Sequence, residues 1–119
     1  MPLVVVHYHP NIIPRDVILE LANELPGIVA DALNVRGNAD AHLDSSDVEV
    51  QVRAFGEYDV NTRSLEIIVW ANLYLERQAN LEERKDNILN AVRDFLEDYN
   101  LNVSGFVWVL LQPAAFGEL

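Results

Sequence analysis

The opening residues, Met1-Pro-Leu-Val-Val-Val-His-Tyr-His-Pro10, carry the most specific chemistry in this chain. Removal of Met1 would leave Pro2 with a free secondary amine at the head of an apolar strand, Leu3 to Val6. A terminus held in a strand does not fray as most termini do. α-Amino groups titrate at about 7.7–8.0, and burial or a nearby cation lowers that value by disfavouring the charged form. Proton transfer at carbon needs such a base, poised near neutrality. With Met1 retained, the same nitrogen is an amide and has no basic lone pair. The plainer reading of Pro2 is a proline opening an edge strand, where a missing N–H is tolerated.

His7 and His9 are two apart on the same strand and share a face. A His-x-His pair can hold a metal, but it needs further ligands. The remaining histidine, His42, falls in a loop-like stretch, so no metal site is expected. Seven of the eight basic residues are arginines, Lys85 being the exception. Guanidinium forks match planar carboxylates. A few arginines gathered in a pocket could bind a small carboxylate; paired singly with surface acids they would do nothing of the kind.

The chain has 119 residues, half of them hydrophobic, and a net charge of −11. That predicts one folded domain, residues 1–119, with a modest core. The excess of acids argues against nucleic-acid and anionic-membrane partners. No 18-residue apolar run and no leader pattern stand out, which predicts a soluble, cytoplasmic protein. Cysteine is absent, so thiol chemistry and disulfides are excluded.

The elements that must position these residues read as follows. Leu3 to His9 is a strand. After the turn at Pro10–Pro14, apolar residues from Ile18 to Leu33 recur at helical spacing, with a kink or short break expected at Pro26-Gly27. Val35 to Asp47 is a long polar loop that holds Arg36 and His42 and could be disordered or rim a site. Val48 to Phe55 alternates as a strand, and Leu65 to Leu73 is another. Tyr74 to Ala79 is a connection. Asn80-Leu-Glu-Glu83 fits a capping box, opening a second helix that ends near Asn100. Gly105 to Leu111 is the last strand, followed by a tail to Leu119.

This order makes two consecutive β-α-β units, about 3–55 and 65–111, each with a parallel strand pair. Side by side they give an α+β fold of α/β type, a four-stranded sheet with two helices on one face. The other sheet face carries Val and Ile residues and calls for cover, most economically by like subunits in a ring. A ferredoxin-like regulatory domain shares this layout and would be marked by antiparallel pairing of the terminal strands.

The chain resembles the tautomerase superfamily, which includes oxalocrotonate tautomerase, carboxymethyl-hydroxymuconate isomerase and macrophage migration inhibitory factor. The likeness covers nearly the whole chain as pattern. Pro2 opens a hydrophobic strand. Arg15-Asp16 opens the first helix, where oxalocrotonate tautomerase-like sequences carry an arginine. Leu81-Glu-Glu-Arg84 opens the second much as in the isomerase. Glu24-Leu-Pro-Gly27 and Leu110-Leu-Gln-Pro113 look like a branch of unassigned activity.

The resemblance implies a homotrimeric, cofactor-independent tautomerase or isomerase acting on a small keto-enol carboxylate. Pro2 would be the general base or acid. Arg15, Arg53 and Arg77 would bind the substrate, and Tyr74, Trp108 and Phe116 would form the apolar wall. The alternative is an inactive tautomerase-fold protein acting as a trimeric binding or structural protein.

Overall fold

The structure, a computed structural model, describes residues 2–119. Strand β1 (Leu3–Tyr8) leads through a tight turn into helix α1 (Arg15–Leu33). Then come β2 (Glu49–Ala54), β3 (Leu65–Asn72), the short helix α2 (Leu75–Ala79), helix α3 (Leu81–Asp98) and β4 (Gly105–Gln112). The four strands form one mixed sheet in the order β2-β1-β3-β4. β1 runs parallel to β2, β3 runs parallel to β4, and β1 and β3 are antiparallel. The terminal strands β1 and β4 are not neighbours, so the ferredoxin-like arrangement does not apply. Among the described residues, no helix is long and apolar enough to cross a membrane.

The helices cover one face of the sheet. Val4, Val6, Ile67 and Val69 point into that layer and are fully buried, against Leu21, Leu25, Val29 and Leu33 of α1 and Ile88 and Val92 of α3. Alternation along the strands turns their neighbours to the opposite face. Register aligns them in rows: Leu3, Trp70 and Leu110 in one, Val5, Ile68 and Trp108 in the next. These side chains are half-buried or exposed. Nothing in the chain's own helices covers them. The outer edge of the sheet on one side is β2, on the other β4.

Three expectations change. α1 runs unbroken through Pro26. Proline in a helix interior costs about 3 kcal/mol, but Leu25 and Val29 on either side are fully buried, and burying each such side chain returns about 1.5–3 kcal/mol. The connection after Tyr74 contains α2. The Asn80 side chain makes no capping bond to the α3 backbone, because its Oδ1 accepts instead from Nε of Arg84 at 2.6 Å. α3 ends in a Schellman arrangement: Asn100 takes a left-handed φ of 54°, and the N–H groups of Leu101 and Asn100 donate to the carbonyls of Leu96 and Glu97.

Candidate functional site

Pro2 lies at the head of β1 and is buried. Its carbonyl accepts a hydrogen bond from the Glu49 N–H at 3.0 Å, which joins it to the start of β2. Because β3 is antiparallel, its last residues flank the same spot; Leu3 stands opposite Trp70. This end of the sheet therefore gathers Pro2, the connection from α1 to β2, the segment Leu73–Ala79 and the tail after Gln112.

The connection from α1 to β2 is an ordered structure with two single 3-10 turns, Ala39–Ala41 and Ser45–Asp47. Asn34 Oδ1 accepts from the Leu43 N–H at 3.1 Å and Asn38 Oδ1 from the Asp40 N–H at 3.1 Å, so side chains close the loop upon itself. Gly37 takes a φ of 79°, which a residue with a side chain adopts only with strain. Residues Asn34, Arg36, Gly37, Asn38 and His42 line an open cavity of about 640 Å³. Arg36 is exposed and forms no ion pair among the described residues. Nε2 of His42 lies 3.3 Å from Asp44.

Tyr74 and Arg77 join this loop to the sheet. The Tyr74 hydroxyl donates to the Asp40 carbonyl at 3.1 Å. The Arg77 guanidinium sits 4.9 Å from the centre of the Tyr74 ring. Arg77 is 2% exposed. It donates through Nε to Leu33 O at 2.9 Å and through an Nη to Asn72 O at 3.0 Å. Burial pulls its pKa below the ordinary arginine value, Tyr74 opposes that shift, and neighbouring Arg84 adds to it. Arg84 donates to the carbonyls of Ala32 and Asn34 at 3.1 and 2.9 Å. The last turn of α1 has no basic residue of its own, so two arginines from later in the chain satisfy its end carbonyls and its negative dipole.

The other candidates lie elsewhere. Arg15 opens α1 at the opposite end of the sheet. Arg53 pairs in register with His7 and donates to its neighbour's carbonyl, Val52 O, at 2.9 Å. Leu3 to His7 is roughly 13 Å of strand, so within one chain neither arginine reaches Pro2. Trp108 stands mid-sheet on the open face, 55% exposed, and Phe116 lies in the tail, 60% exposed. His7 stacks on Phe55, with ring centres 5.4 Å apart. His9 Nδ1 is buried without a hydrogen-bond partner. His42 is at the far end, and among the described residues no three potential ligands assemble for a metal.

No family model matches the sequence, and no curated protein does. Solved structures do match. A 5-carboxymethyl-2-hydroxymuconate delta-isomerase superposes with a TM-score of 0.60 at 15% identity, covering 98% of this chain and 84% of that one. A macrophage migration inhibitory factor-like protein from Entamoeba histolytica gives 0.58 at 16% identity, covering 95% and 88%. A fused 4-OT symmetric trimer gives 0.54 at 18% identity, covering 93% and 85%. The fold is that of the tautomerase superfamily.

Within this tautomerase fold, sequence reasoning singled out Pro2, Tyr74 and Arg77 at one end, and Arg15 and Arg53 at the other. It placed Arg36 only within a loop that could rim a site, and gave Arg84 no scaffold role. The signal for Arg84 was indirect: α1 ends on Asp31-Ala-Leu33 with no cation, so its carbonyls had to be met from outside. The signal for Arg36 was its place directly before Gly37, in a turn that the helix end requires.

Proposed function

We propose that this chain, once Met1 is removed, is a cofactor-independent tautomerase or isomerase that uses Pro2 as its base. Met1 itself lies outside the described residues. The observation that carries the reading is that Pro2, at the head of β1, and the Arg36 cavity, in the connection from α1 to β2, lie at the same end of a tautomerase fold. The cavity suits a small carboxylate, and Arg36 is the cation free to pair with it. The Pro2 nitrogen would take a proton from the carbon beside the substrate's carbonyl. The electron pair of that C–H bond would move into the carbonyl, giving an enolate oxygen that a guanidinium stabilises. The protonated amine would then return its proton to another carbon of the same system. Atoms and charge balance without metal or organic cofactor.

The rest of the proposal follows from the open sheet face. Three copies in a ring would cover the rows built on Trp70 and Trp108, and could bring Arg15 or Arg53 of one copy towards Pro2 of the next. The chain would act as a single domain of two β-α-β units, in the cytoplasm. Ketonisation of an aryl-pyruvate enol by Met-free protein tests this. Pro2→Ala should lower kcat/KM by about a hundredfold or more, the scale expected for removing a general base. Arg36→Gln should raise KM by about tenfold while leaving the fold intact. Equal rates for Pro2→Ala and the parent would remove Pro2 from the mechanism.

A second reading has its own support. Pro2 is buried within the chain, and Arg77 spends its donors on backbone carbonyls. Both suit a trimeric binding or structural protein that keeps the fold without the chemistry. That reading expects the Arg36 cavity to bind small carboxylates with no turnover in the Met-free protein.

A further inference from the structure

A second cavity lies between α3 and the edge strand β4. Gly105 is part of its wall. A Cβ placed there would stand 2.1 Å from the Leu65 carbonyl oxygen, so no larger residue fits. Gly105 pairs with Leu65 in the sheet register, and α3 residues line the other side of the cavity. What remains is a crevice of about 140 Å³, lined by Ile67, Leu89, Val92, Val103 and Val107.

Arg93 stands at its mouth. It is one helical turn from Leu89 and from Leu96, which places its stem along the apolar wall. Its guanidinium is exposed and forms no ion pair among the described residues, although Asp94 is adjacent and Glu97 is four residues on. Glu97 lines the neighbouring depression, which Arg93, Leu96 and Val103 also line. A crevice of about this volume has room for a group of about benzene size. One cation beside an apolar crevice defines a ligand with one anionic group and a compact apolar body.

We propose that the Gly105 crevice and Arg93 form a binding site for a small monocarboxylate of about phenyl size. The ring would bury against Val92 and Val107, and the carboxylate would pair with Arg93. The site is at the end of the sheet away from Pro2 and on its helix-covered side, so assembly through the open face leaves it accessible. It holds whether or not Pro2 is catalytic.

Methyl NMR of the full chain titrated with phenylacetate tests it. The methyl signals of Leu89, Val92, Val103 and Val107 should shift and saturate together. Phenylacetamide, the neutral counterpart, should bind about tenfold more weakly, since it lacks the charge-assisted pair. Arg93→Gln should reduce phenylacetate affinity by about tenfold and leave phenylacetamide unchanged. Arg93 is exposed, so this variant keeps the fold, and Val107→Phe should fill the crevice and abolish both. Shifts confined to the Pro2 end, no shift at those four residues, or equal affinities for Arg93→Gln and the parent would overturn the proposal.

Discussion

Arg77 holds the carbonyl of Leu33, 44 residues earlier in the chain, through a 2.9 Å bond from Nε. A second bond to Asn72 O fastens the end of β3 to the end of α1. The guanidinium thereby ties the first half of the chain to the second beneath the Tyr74 ring. Its burial is what makes this bond matter, because an orphaned carbonyl in that position has no water to turn to.

Arg77→Met should therefore destabilise the fold by about 2–4 kcal/mol, the scale for removing one partner of buried charged hydrogen bonds. Arg77→Lys should recover less than half of that, since an ammonium lacks the fork that reaches both carbonyls. Urea denaturation measures both. A loss below about 0.5 kcal/mol with weakened carboxylate binding would instead assign Arg77 to the ligand.

The Tyr99 hydroxyl donates to Glu20 and clasps α3 to α1. That bond, then burial and the nearby acids, push the Tyr99 pKa up to about 12. A phenol whose folded pKa exceeds its unfolded value of about 10 stabilises the fold in its protonated form. Its contribution is complete below about pH 10 and is lost as pH rises through the folded value. Thermal unfolding across that window should show a fall in Tm that Tyr99→Phe reduces. A Tyr99→Phe profile matching the parent's would show that the contact contributes nothing.

Trp108 is 55% exposed in the isolated chain. If the open face is a subunit contact, Trp108→Lys should convert trimers to monomers in sedimentation while the monomer's circular dichroism stays unchanged. A trimer that survives this charge on each copy would mean that the subunits meet elsewhere.

Much of the fold was legible because its signals are local. Alternation in Val48 to Ala54 and the apolar run from Ile67 to Trp70 mark strands, and the 3-4 spacing through Ile18, Leu21 and Leu25 marks a helix. Pro26 misleads because tertiary burial outweighs a local penalty. Asn80 misleads because a capping side chain was claimed by Arg84 on the same helix. The site was less legible. Pro2 announces itself by position, but which arginine is free and which is consumed depends on carbonyls more than 40 residues distant. Arg36 and Arg77 look alike in sequence; one faces an open cavity and the other is walled in.

The last strand runs Gly-Phe-Val-Trp-Val-Leu-Leu-Gln without a charge or a proline, and its outer edge pairs with no strand among the described residues. Such a naked border is a template for further strands, including those of other copies still unfolded. The opposite border is guarded by Glu49 and Arg53. Strand addition from another chain is thus open along one side of the sheet only.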